Sequence, residues 1–296
     1  MDLAWLEDFL ALVESGNFSR AAEARHMTQP AFSRRIRALE DWVGAALFDR
    51  TGQPVALTAA GQRFRPAADD LLRRLLRARE EARDADGLAA ATLRFAATHA
   101  LSTTFFPAWL RRFDAGATAG AIRLMSDSLQ ACERLMLAGE AQFLLCHQHA
   151  AADGGLEARG FRSIMVGADM LLPVSAPDER GRPRHPLGVP GAAAPYLAYS
   201  PESGLGRIIR AAGAADRALP RDPVLTSHLA GVLRVMARDG RGVAWLPRSM
   251  VEDDLAAGLV VPAGDEGWSI PVEIRLFRPR ARLGTAAERF WSLVAG

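Results

Sequence analysis

Four polar side chains between residues 28 and 38 have the chemistry needed to read DNA. Glutamine can hydrogen-bond the edge of adenine, arginine the edge of guanine, and serine either a base or a phosphate. They lie off an apolar stripe at Phe32, Ile36 and Leu39. The i, i+4, i+7 spacing of that stripe predicts one buried face of a helix. The four polar residues are Gln29, Ser33, Arg34 and Arg37.

The surrounding residues predict two short helices joined by a tight turn. Thr28 is a good N-cap for the second helix, and Pro30 falls in its first turn, where a missing N–H costs little. This helix is expected from residue 31 to about residue 42. Ser19 is expected to cap the first helix. Such a pair is a helix-turn-helix. The full set of expected DNA contacts is Ser19, Thr28, Gln29, Pro30, Ala31, Ser33, Arg34, Arg37 and Arg50.

Positive charge is concentrated on this motif. Residues 1–60 contain six arginines and eight acidic residues, but residues 20–37 contain five of those arginines and a single glutamate. A surface that faces phosphates needs such a local excess of positive charge. A two-helix hairpin with a solvated arginine face gives the same pattern, so the motif alone leaves both interpretations open.

The flanking segments extend the motif into a winged helix-turn-helix. Apolar residues between 3 and 13 predict a packing helix upstream. Downstream, Gly52 and Pro54 mark a wing hairpin, Arg50 lies at its base within reach of a phosphate, and Thr58 caps a further helix. With these flanks the sequence resembles the LysR-type transcriptional regulators. The matching residues are Phe9, Asn17, Phe18, Ser19, Ala21, Ala22, Thr28, Gln29, Pro30, Ala31, Ser33, Ile36, Leu39, Glu40, Gly44, Leu47, Phe48, Asp49, Arg50, Leu57, Thr58, Ala59, Ala60 and Gly61.

The resemblance implies three segments. These are a winged helix-turn-helix DNA-binding domain over residues 1–60, a linker and dimerisation helix with a hinge over 61–88, and an effector-binding domain over 89–296. The last would be a two-lobed α/β domain like the periplasmic binding proteins, with lobe I at about 89–160 and 269–296 and lobe II at about 161–268. The implied partners are a double-stranded DNA operator, a small-molecule effector or oxidant, and RNA polymerase if the protein is an activator.

The predicted linker helix carries its own pattern. Its apolar residues are spaced by alternating steps of four and three, which is typical of the narrow seam of a two-helix coiled coil. Packing of this helix on its own domain is the alternative. A homodimer is also expected because two recognition helices read a pseudo-palindrome, and a tetramer would form as a dimer of dimers. The seam residues are Phe64, Ala68, Leu71, Leu75, Ala78 and Ala82.

From residue 92 onward, short apolar strands alternate with helical segments, which predicts βαβ units with parallel sheets in two α/β lobes. Residues 98–102 are expected to form a turn. Strands are expected at 93–97, 121–125, 141–145, 161–174, 196–200, 224–226, 242–246 and 272–278, and helices at 103–113, 128–138, 204–215, 229–238, 248–257 and 285–294.

Polar residues follow several of these strands. Ligands of open α/β sheets bind beyond the carboxyl ends of strands, where helix N-termini expose free N–H groups. Ser126, Asp127 and His228 are among the residues at such positions. Helix capping without ligand contact is the alternative for each residue. The expected effector-binding residues are Thr98, His99, Ala100, Leu101, Ser102, Ser128, His147, Ser200, Ser203 and Ser227.

Segments across the chain also resemble the hypochlorite-responsive LysR-type regulators, which implies sulfur oxidation as the signal. Leu205 and Leu229 stand where methionines of that subgroup are expected, so no methionine is carried over. Cys132 and Cys146 are interpreted as buried structural thiols. No metal or cofactor is expected, since His147 and a second histidine two residues later make a poor ligand set. The methionines interpreted as core residues are Met125, Met136, Met165, Met170, Met236 and Met250.

Composition narrows the class of protein. The chain has 296 residues, two cysteines and no lysine, so all 36 basic residues are arginine. It starts with an acidic, amphipathic segment and contains no apolar run of about 20 residues, which predicts a cytoplasmic protein outside the membrane. No nucleophile motif, phosphate loop or metal cluster points to an enzyme. A solute-binding protein or enzyme with an incidental helix-turn-helix, and an architectural DNA protein, remain as rivals.

Overall fold

The computed structural model describes residues 2–85, 92–113, 120–152, 155–189, 194–213 and 222–296, without the side chains of residues 73, 77 and 80–85. The chain divides into two compact units at about residue 86. Each unit is described by itself. No helix in the described ranges combines the length and the apolar character that a bilayer span requires.

The first unit is a winged helix-turn-helix. Its strands pair antiparallel, with Phe48 opposite Leu57 and Asp49 opposite Ala56, and form the expected wing. The side chain of Thr58 accepts from the backbone N–H of Gly61 (3.0 Å), as expected of a cap. In chain order the elements are α1 (Leu3–Ser15), α2 (Phe18–Ala24), α3 (Gln29–Val43), β1 (Phe48–Asp49), β2 (Ala56–Leu57) and α4 (Ala59–Ala85).

Two expected caps are wrong in detail. Asn17, not Ser19, caps α2, because the Oδ1 of Asn17 accepts from the backbone N–H groups of Ser19 (2.9 Å) and Arg20 (3.1 Å). Thr28 does occupy the N-cap of α3, but its hydroxyl makes no capping hydrogen bond. The helix begins two residues earlier than expected, at Gln29, since proline in the first turn costs no hydrogen bond.

The core of the first unit is formed by the stripe that the sequence indicated. Phe32, Ile36 and Leu39 are fully buried, together with Phe9 and Leu12 of α1. The helix α4 ends at Ala85, and the rest of the expected hinge lies outside the described residues. Pro66 lies inside this helix.

The second unit contains a seven-stranded sheet, a two-stranded sheet and seven helices within the described residues. Its elements are β3 (Leu93–Thr98), α5 (His99–Thr104), α6 (Phe106–Leu110), β4 (Ile122–Asp127), α7 (Leu129–Leu137), β5 (Phe143–Gln148), β6 (Phe161–Ser175), β7 (Leu197–Tyr199), α8 (Gly204–Ala211), β8 (Leu225–Ser227), α9 (Ala230–Arg238), β9 (Ala244–Pro247), α10 (Arg248–Ala256), β10 (Val261–Pro262), β11 (Ile270–Pro279) and α11 (Thr285–Ala295).

The expected parallel pairing is found between β7 and β8 and in one part of the large sheet, but the large sheet as a whole is mixed. Its order is β10-β6-β11-β5-β3-β4, with β9 also paired to β6. Strand β3 is parallel to β4 and β5, but β11 is antiparallel to β5 and β6. Because β11 lies between β5 and β6 and is antiparallel to both, β5 and β6 run in the same direction on either side of it.

The start of the unit also differs from expectation. Residues 98–102 are not a turn, because α5 begins at His99 directly after β3. The predicted helix over 103–113 is instead interrupted at Phe105, where α6 takes over. The strand expected over residues 161–174 is observed as the continuous strand β6, Phe161–Ser175.

Two apolar clusters fill the second unit. One surrounds Phe95, Phe143 and Phe290, and the other surrounds Trp245 and Leu233. The division of residues 89–296 into two lobes with the expected boundaries stays a prediction, and the two clusters are the observation that supports it.

Candidate DNA-reading surface and effector cleft

The outer face of α3 carries the predicted base-reading side chains. Gln29, Arg34 and Arg37 are exposed, and Ser33 is half-buried. Around them, Ser19, Thr28 and Pro30 are also exposed, and Ala31 is half-buried. The buried stripe of α3 therefore leaves the polar residues on its free side, as its periodicity indicated.

Arg50 is held more tightly than the sequence suggested. Its Nη2 donates to Oε2 of Glu40 (2.6 Å), and its guanidinium lies 5.2 Å from the ring centre of Phe18. The other oxygen of Glu40 accepts from the backbone N–H groups of Leu47 (2.9 Å) and Phe48 (3.2 Å). Glu40 therefore fixes the connection between α3 and the wing, and the phosphate contact of Arg50 stays a prediction.

The arginines of the motif fall into two groups. Arg25 and Arg35 form ion pairs with the carboxylate of Asp8 on α1, at 2.8 Å and 3.2 Å. The remaining arginines of the two helices form no ion pair within the described residues. They are Arg20, Arg34 and Arg37, and all three are exposed.

In the second unit, the end of β3 begins a cluster of hydroxyl and imidazole groups. Nδ1 of His99 lies 3.0 Å from Oγ of Ser126, which lies 2.7 Å from Oγ of Ser102. The hydroxyl of Ser102 donates to the carbonyl oxygen of His99 (2.8 Å). Ser102 therefore holds the first turn of α5 and the end of β4 in position.

A small cleft with a cavity volume of about 30 Å³ lies next to this cluster, at the carboxyl ends of β3, β4 and β5. The first residues of α7, α8 and α9 all face it. Helix N-termini carry unpaired N–H groups and partial positive charge. The lining residues are Thr98, His99, Ala100, Asp127, Ser128, Leu129, His147, Ser203, Gly204, Leu205, His228 and Ala230.

Six of the ten expected effector residues line this cleft, namely Thr98, His99, Ala100, Ser128, His147 and Ser203. Four others do not. Leu101 is fully buried in the cluster around Phe95, and Ser102 bonds as described above. Ser227 accepts from the backbone N–H of Leu229 (3.1 Å), just before α9. Ser200 is half-buried outside the lining.

The expected set omitted several lining residues. The strand-end rule had selected Asp127 and His228, but the final expected set left them out, and both line the cleft. Leu129, Gly204, Leu205 and Ala230 are apolar residues at helix starts, and no chemical signal in the sequence marks them.

Two buried polar atoms in the cleft lack partners among the described residues. They are Oγ1 of Thr98 and Nε2 of His147, a residue only 4% exposed. This Nε2 lies 3.8 Å from Oδ2 of Asp169, too far for a hydrogen bond. Burial disfavours ionisation of Asp169, but His147, the Ser249 hydroxyl and the Met170 amide together hold its pKa below the ordinary value. Buried polar atoms are normally satisfied by the protein or by ordered water, and the described residues supply no partner for these two.

Two further histidines face each other across the cleft. The ring centres of His99 and His228 are 5.7 Å apart, and Nδ1 of His228 lies 3.7 Å from Oε1 of Glu202. No arginine is present among the lining residues that the structure describes. In the same ranges, no group of three or more potential metal ligands is close enough together to hold a metal ion.

The sulfur groups lie elsewhere. Both cysteines are free thiols and buried, as expected. Burial raises the pKa of Cys132 to about 12 and also raises that of Cys146, which keeps both as unreactive thiols. Met165 is 53% exposed, so its interpretation as a core residue is wrong: β6 is long, and this position faces out of the sheet.

Each of the two units matches a known protein-family model. Residues 3–62 match the family model described as the bacterial regulatory helix-turn-helix protein of the lysR family, and residues 86–296 match the LysR substrate binding domain. The chain belongs to the LysR family. It is therefore a DNA-binding transcriptional regulator of the LysR type with an effector-binding domain.

Similar proteins cover nearly the whole chain of this LysR-type regulator. The HTH-type transcriptional regulator YjiE of Escherichia coli is 32% identical over 291 residues, which are 98% of this chain and 93% of the relative. The structure of DarR from Vibrio fischeri in complex with DNA is 34% identical, with a TM-score of 0.59 and coverage of 100% and 99%.

Full-length HypT from Salmonella typhimurium, described as a hypochlorite-specific LysR-type transcriptional regulator, is 30% identical, with a TM-score of 0.60 and coverage of 99% and 97%. The regulatory domain of HypT has also been solved with a bound bromide ion. It is 25% identical, with a TM-score of 0.59, and the match covers 70% of this chain and 95% of that domain.

Proposed function

We propose that this regulator reads its operator through the outer face of α3 and responds to a small effector with an anionic group that binds in the cleft. The observation that carries the second part is that Oγ1 of Thr98 and Nε2 of His147 have no hydrogen-bond partner among the described residues. Buried polar atoms of this kind cost stability unless a ligand or ordered water satisfies them.

The proposed reading of DNA is supported by exposed polar side chains on α3 and by arginines without an ion-pair partner in the described residues. Gln29, Arg34 and Arg37 are exposed on α3, and the two arginines have no ion-pair partner in the described residues. Recognition helices place such side chains in the major groove, where arginine bonds guanine and glutamine bonds adenine. Ser33 on the same face contacts a base or a phosphate.

We expect Arg34→Ala to lower affinity for a duplex selected from a random library by the unmodified protein. A lost bidentate base contact costs about 1–3 kcal/mol, equal to roughly 5- to 150-fold in affinity. Fluorescence anisotropy at fixed salt measures the change. Arg180→Ala, which removes an exposed arginine from the second unit, is the control. Equal affinities for all three proteins would remove Arg34 from the interface.

The effector part rests on the chemistry of the cleft. Three helix N-termini and three imidazoles favour an anionic group, and Asp127 is the single carboxylate among the lining residues. Hydroxyls of Thr98, Ser128 and Ser203 add neutral donors. The bromide ion in the regulatory domain of HypT supports an anion site in a related domain.

Thr98→Val tests the site without a change in volume. Thermal-shift screening with small carboxylates and oxyanions identifies a stabilising compound first. The variant removes a buried unsatisfied hydroxyl, so we expect the unliganded protein to melt at the same or a higher temperature, and the shift given by the compound to shrink. Thr103→Val, at an exposed threonine of α5, the helix that follows Thr98, should keep the shift. An unchanged shift in Thr98→Val would exclude the cleft.

Oxidant sensing of the hypochlorite type is the second candidate, and the similarity to HypT favours it. The chemistry of this chain argues against sulfur in the cleft, because Leu205 lines it and the cysteines are buried with raised pKa values. Peptide mass spectrometry after mild hypochlorite treatment distinguishes the two, since oxidant sensing requires one sulfur to be modified in step with a change in DNA binding.

We further propose a homodimer through α4, assembled into a tetramer, with effector binding changing the spacing of the two recognition helices on DNA. The exposed Leu71 and Leu75 support the dimer. Contact with RNA polymerase would follow if the protein activates transcription.

A further inference from the structure

A carboxylate lies in the buried face of α1, where an apolar residue would be the ordinary choice. Asp8 is fully buried, and the other buried residues of α1 are the apolar Leu6, Phe9 and Leu12. Charged residues are almost never fully buried unless they are paired. Its neighbours in the unit therefore have to supply positive charge.

Two arginines of the helix-turn-helix supply that charge. Nε of Arg25, at the end of α2, lies 2.8 Å from Oδ1 of Asp8, and Nη1 of Arg35, in α3, lies 3.2 Å from Oδ2. Arg25 also pairs with Glu7. Two carboxylates and two guanidinium groups thus form a neutral cluster between α1, α2 and α3.

This cluster decides which arginines remain free to meet DNA. Arg35 follows Arg34 directly in the sequence, yet its guanidinium is bound to α1, whereas that of Arg34 is unpaired within the described residues. Attraction to phosphates is independent of sequence and grows with every free cation on the protein surface. A neutralised arginine adds little to it.

We infer that Asp8 is a specificity-determining residue that withholds Arg35, and with it Arg25, from the DNA backbone. It keeps sequence-independent binding low while the exposed arginines of α3 retain their contacts. This role of Asp8 concerns binding to any duplex. It therefore goes beyond the proposed base contacts and does not depend on them.

Asp8→Asn tests the inference, since asparagine keeps the shape and one acceptor oxygen but loses the charge. Binding to a mixed-sequence duplex of about 30 base pairs is measured by fluorescence anisotropy over a range of NaCl concentrations. One released arginine steepens the slope of log affinity against log salt by about 0.9. We expect this steepening and tighter non-specific binding at low salt. The ratio of affinities for a library-selected site and for the mixed duplex should fall.

Two variants separate charge from structure. The double variant Asp8→Asn/Arg35→Gln should return to the slope of the unmodified protein, because it removes the released cation. A purely structural role of Asp8 predicts weaker binding that removal of Arg35 does not repair. Glu7→Gln, which leaves Asp8 with both arginines, should change the slope little.

The inference survives poor folding of Asp8→Asn because Arg35→Gln tests it alone. With Arg35 withheld from DNA, Arg35→Gln should keep the original slope, whereas the loss of an arginine that contacts a phosphate makes the slope shallower by about 0.9. A slope in Arg35→Gln that is shallower by about 0.9 would overturn the inference. So would an unchanged slope in a folded Asp8→Asn protein, as judged by circular dichroism.

Discussion

Buried polar side chains in the second unit fall into two kinds: those with hydrogen-bond partners among the described residues and those without. Arg278, only 1% exposed, donates to both oxygens of Glu288 and to the carbonyl oxygens of Pro279 and Ala281. The buried polar atom of Thr98 has no partner among the described residues. Satisfied groups stabilise the fold, whereas the proposed effector would supply the partner that Thr98 lacks among the described residues.

The ion pair between Arg278 and Glu288 predicts that the stability of the fold depends on pH. Arg278 lowers the pKa of Glu288 from its ordinary 4.5 to about 2. The folded pKa is depressed, so the carboxylate stabilises the fold fully above about pH 4.5, and this contribution is lost as the pH falls towards 2. Glu288→Gln leaves a buried cation short of its counter-charge, and we expect a loss of about 3 kcal/mol at pH 7.

Urea unfolding at pH 7 and at pH 3.5 measures this effect. The difference in unfolding free energy between Glu288→Gln and the unmodified protein should narrow at the lower pH. Glu273→Gln is the matched control, since Glu273 pairs with Arg275 at an exposed position and should cost less than about 1 kcal/mol. A gap that does not depend on pH would contradict the assigned role of Glu288.

At the scale of elements, the wing and α4 are joined through a position where only glycine fits. A Cβ added to Gly61 would lie 2.1 Å from the carbonyl oxygen of Leu47 and 2.8 Å from Cδ2 of Leu57. That carbonyl also accepts from the backbone N–H of Thr58 (3.0 Å), so it cannot move freely. The start of α4 therefore lies directly against the backbone that leads into the wing.

Gly61→Ala should force the wing and α4 apart. Overpacking of this kind costs about 1–3 kcal/mol, and a backbone oxygen cannot rotate away as a side chain does. Urea unfolding and duplex binding report the effect, and both should weaken. Gly231→Ala in α9, where no atom lies within 4 Å of the added Cβ, should be neutral or stabilising by up to about 1 kcal/mol. Equal behaviour of the two variants would contradict this account of the junction.

At the scale of the whole molecule, the heptad pattern of α4 divides between two tasks. Ala68 is fully buried, and Phe64 packs against the core of its own unit. Leu71 and Leu75 are 49% and 51% exposed, and Ala78 is exposed as well. Phe64 and Ala68 thus pack within the first unit. Leu71, Leu75 and Ala78 form an apolar stripe that is available to a second copy of the chain. The side chain of Ala82 lies outside the described set.

The proposed dimer depends on that stripe. Leu71→Asp combined with Leu75→Asp places two charges in the seam, and we expect the molar mass in light scattering to fall to a lower oligomer, with weaker DNA binding. The same double change at Leu259 and Leu293, which are 42% and 47% exposed in the second unit, is the control. A molar mass that stays at the dimer or tetramer value in the seam variant would locate the interface elsewhere.

Local signals were enough for the first unit. The spacing of Phe32, Ile36 and Leu39 predicted the buried face of α3, and Thr58 predicted the start of α4, because periodicity and capping involve residues a few positions apart. The strand-end rule likewise selected six residues that line the cleft. Ser19 was misplaced as a cap because serine and asparagine two positions apart carry the same local signal.

What the sequence determined by itself is therefore the family, the helix-turn-helix and the strand ends at which a cleft forms. Only the tertiary structure decided that β6 runs antiparallel to β11, about a hundred residues away, and that Asp8 binds Arg35 but not Arg34. Both depend on contacts between distant segments. Arg34 and Arg35 have identical chemistry, but the fold directs their side chains towards different neighbours. No local sequence pattern predicts that direction.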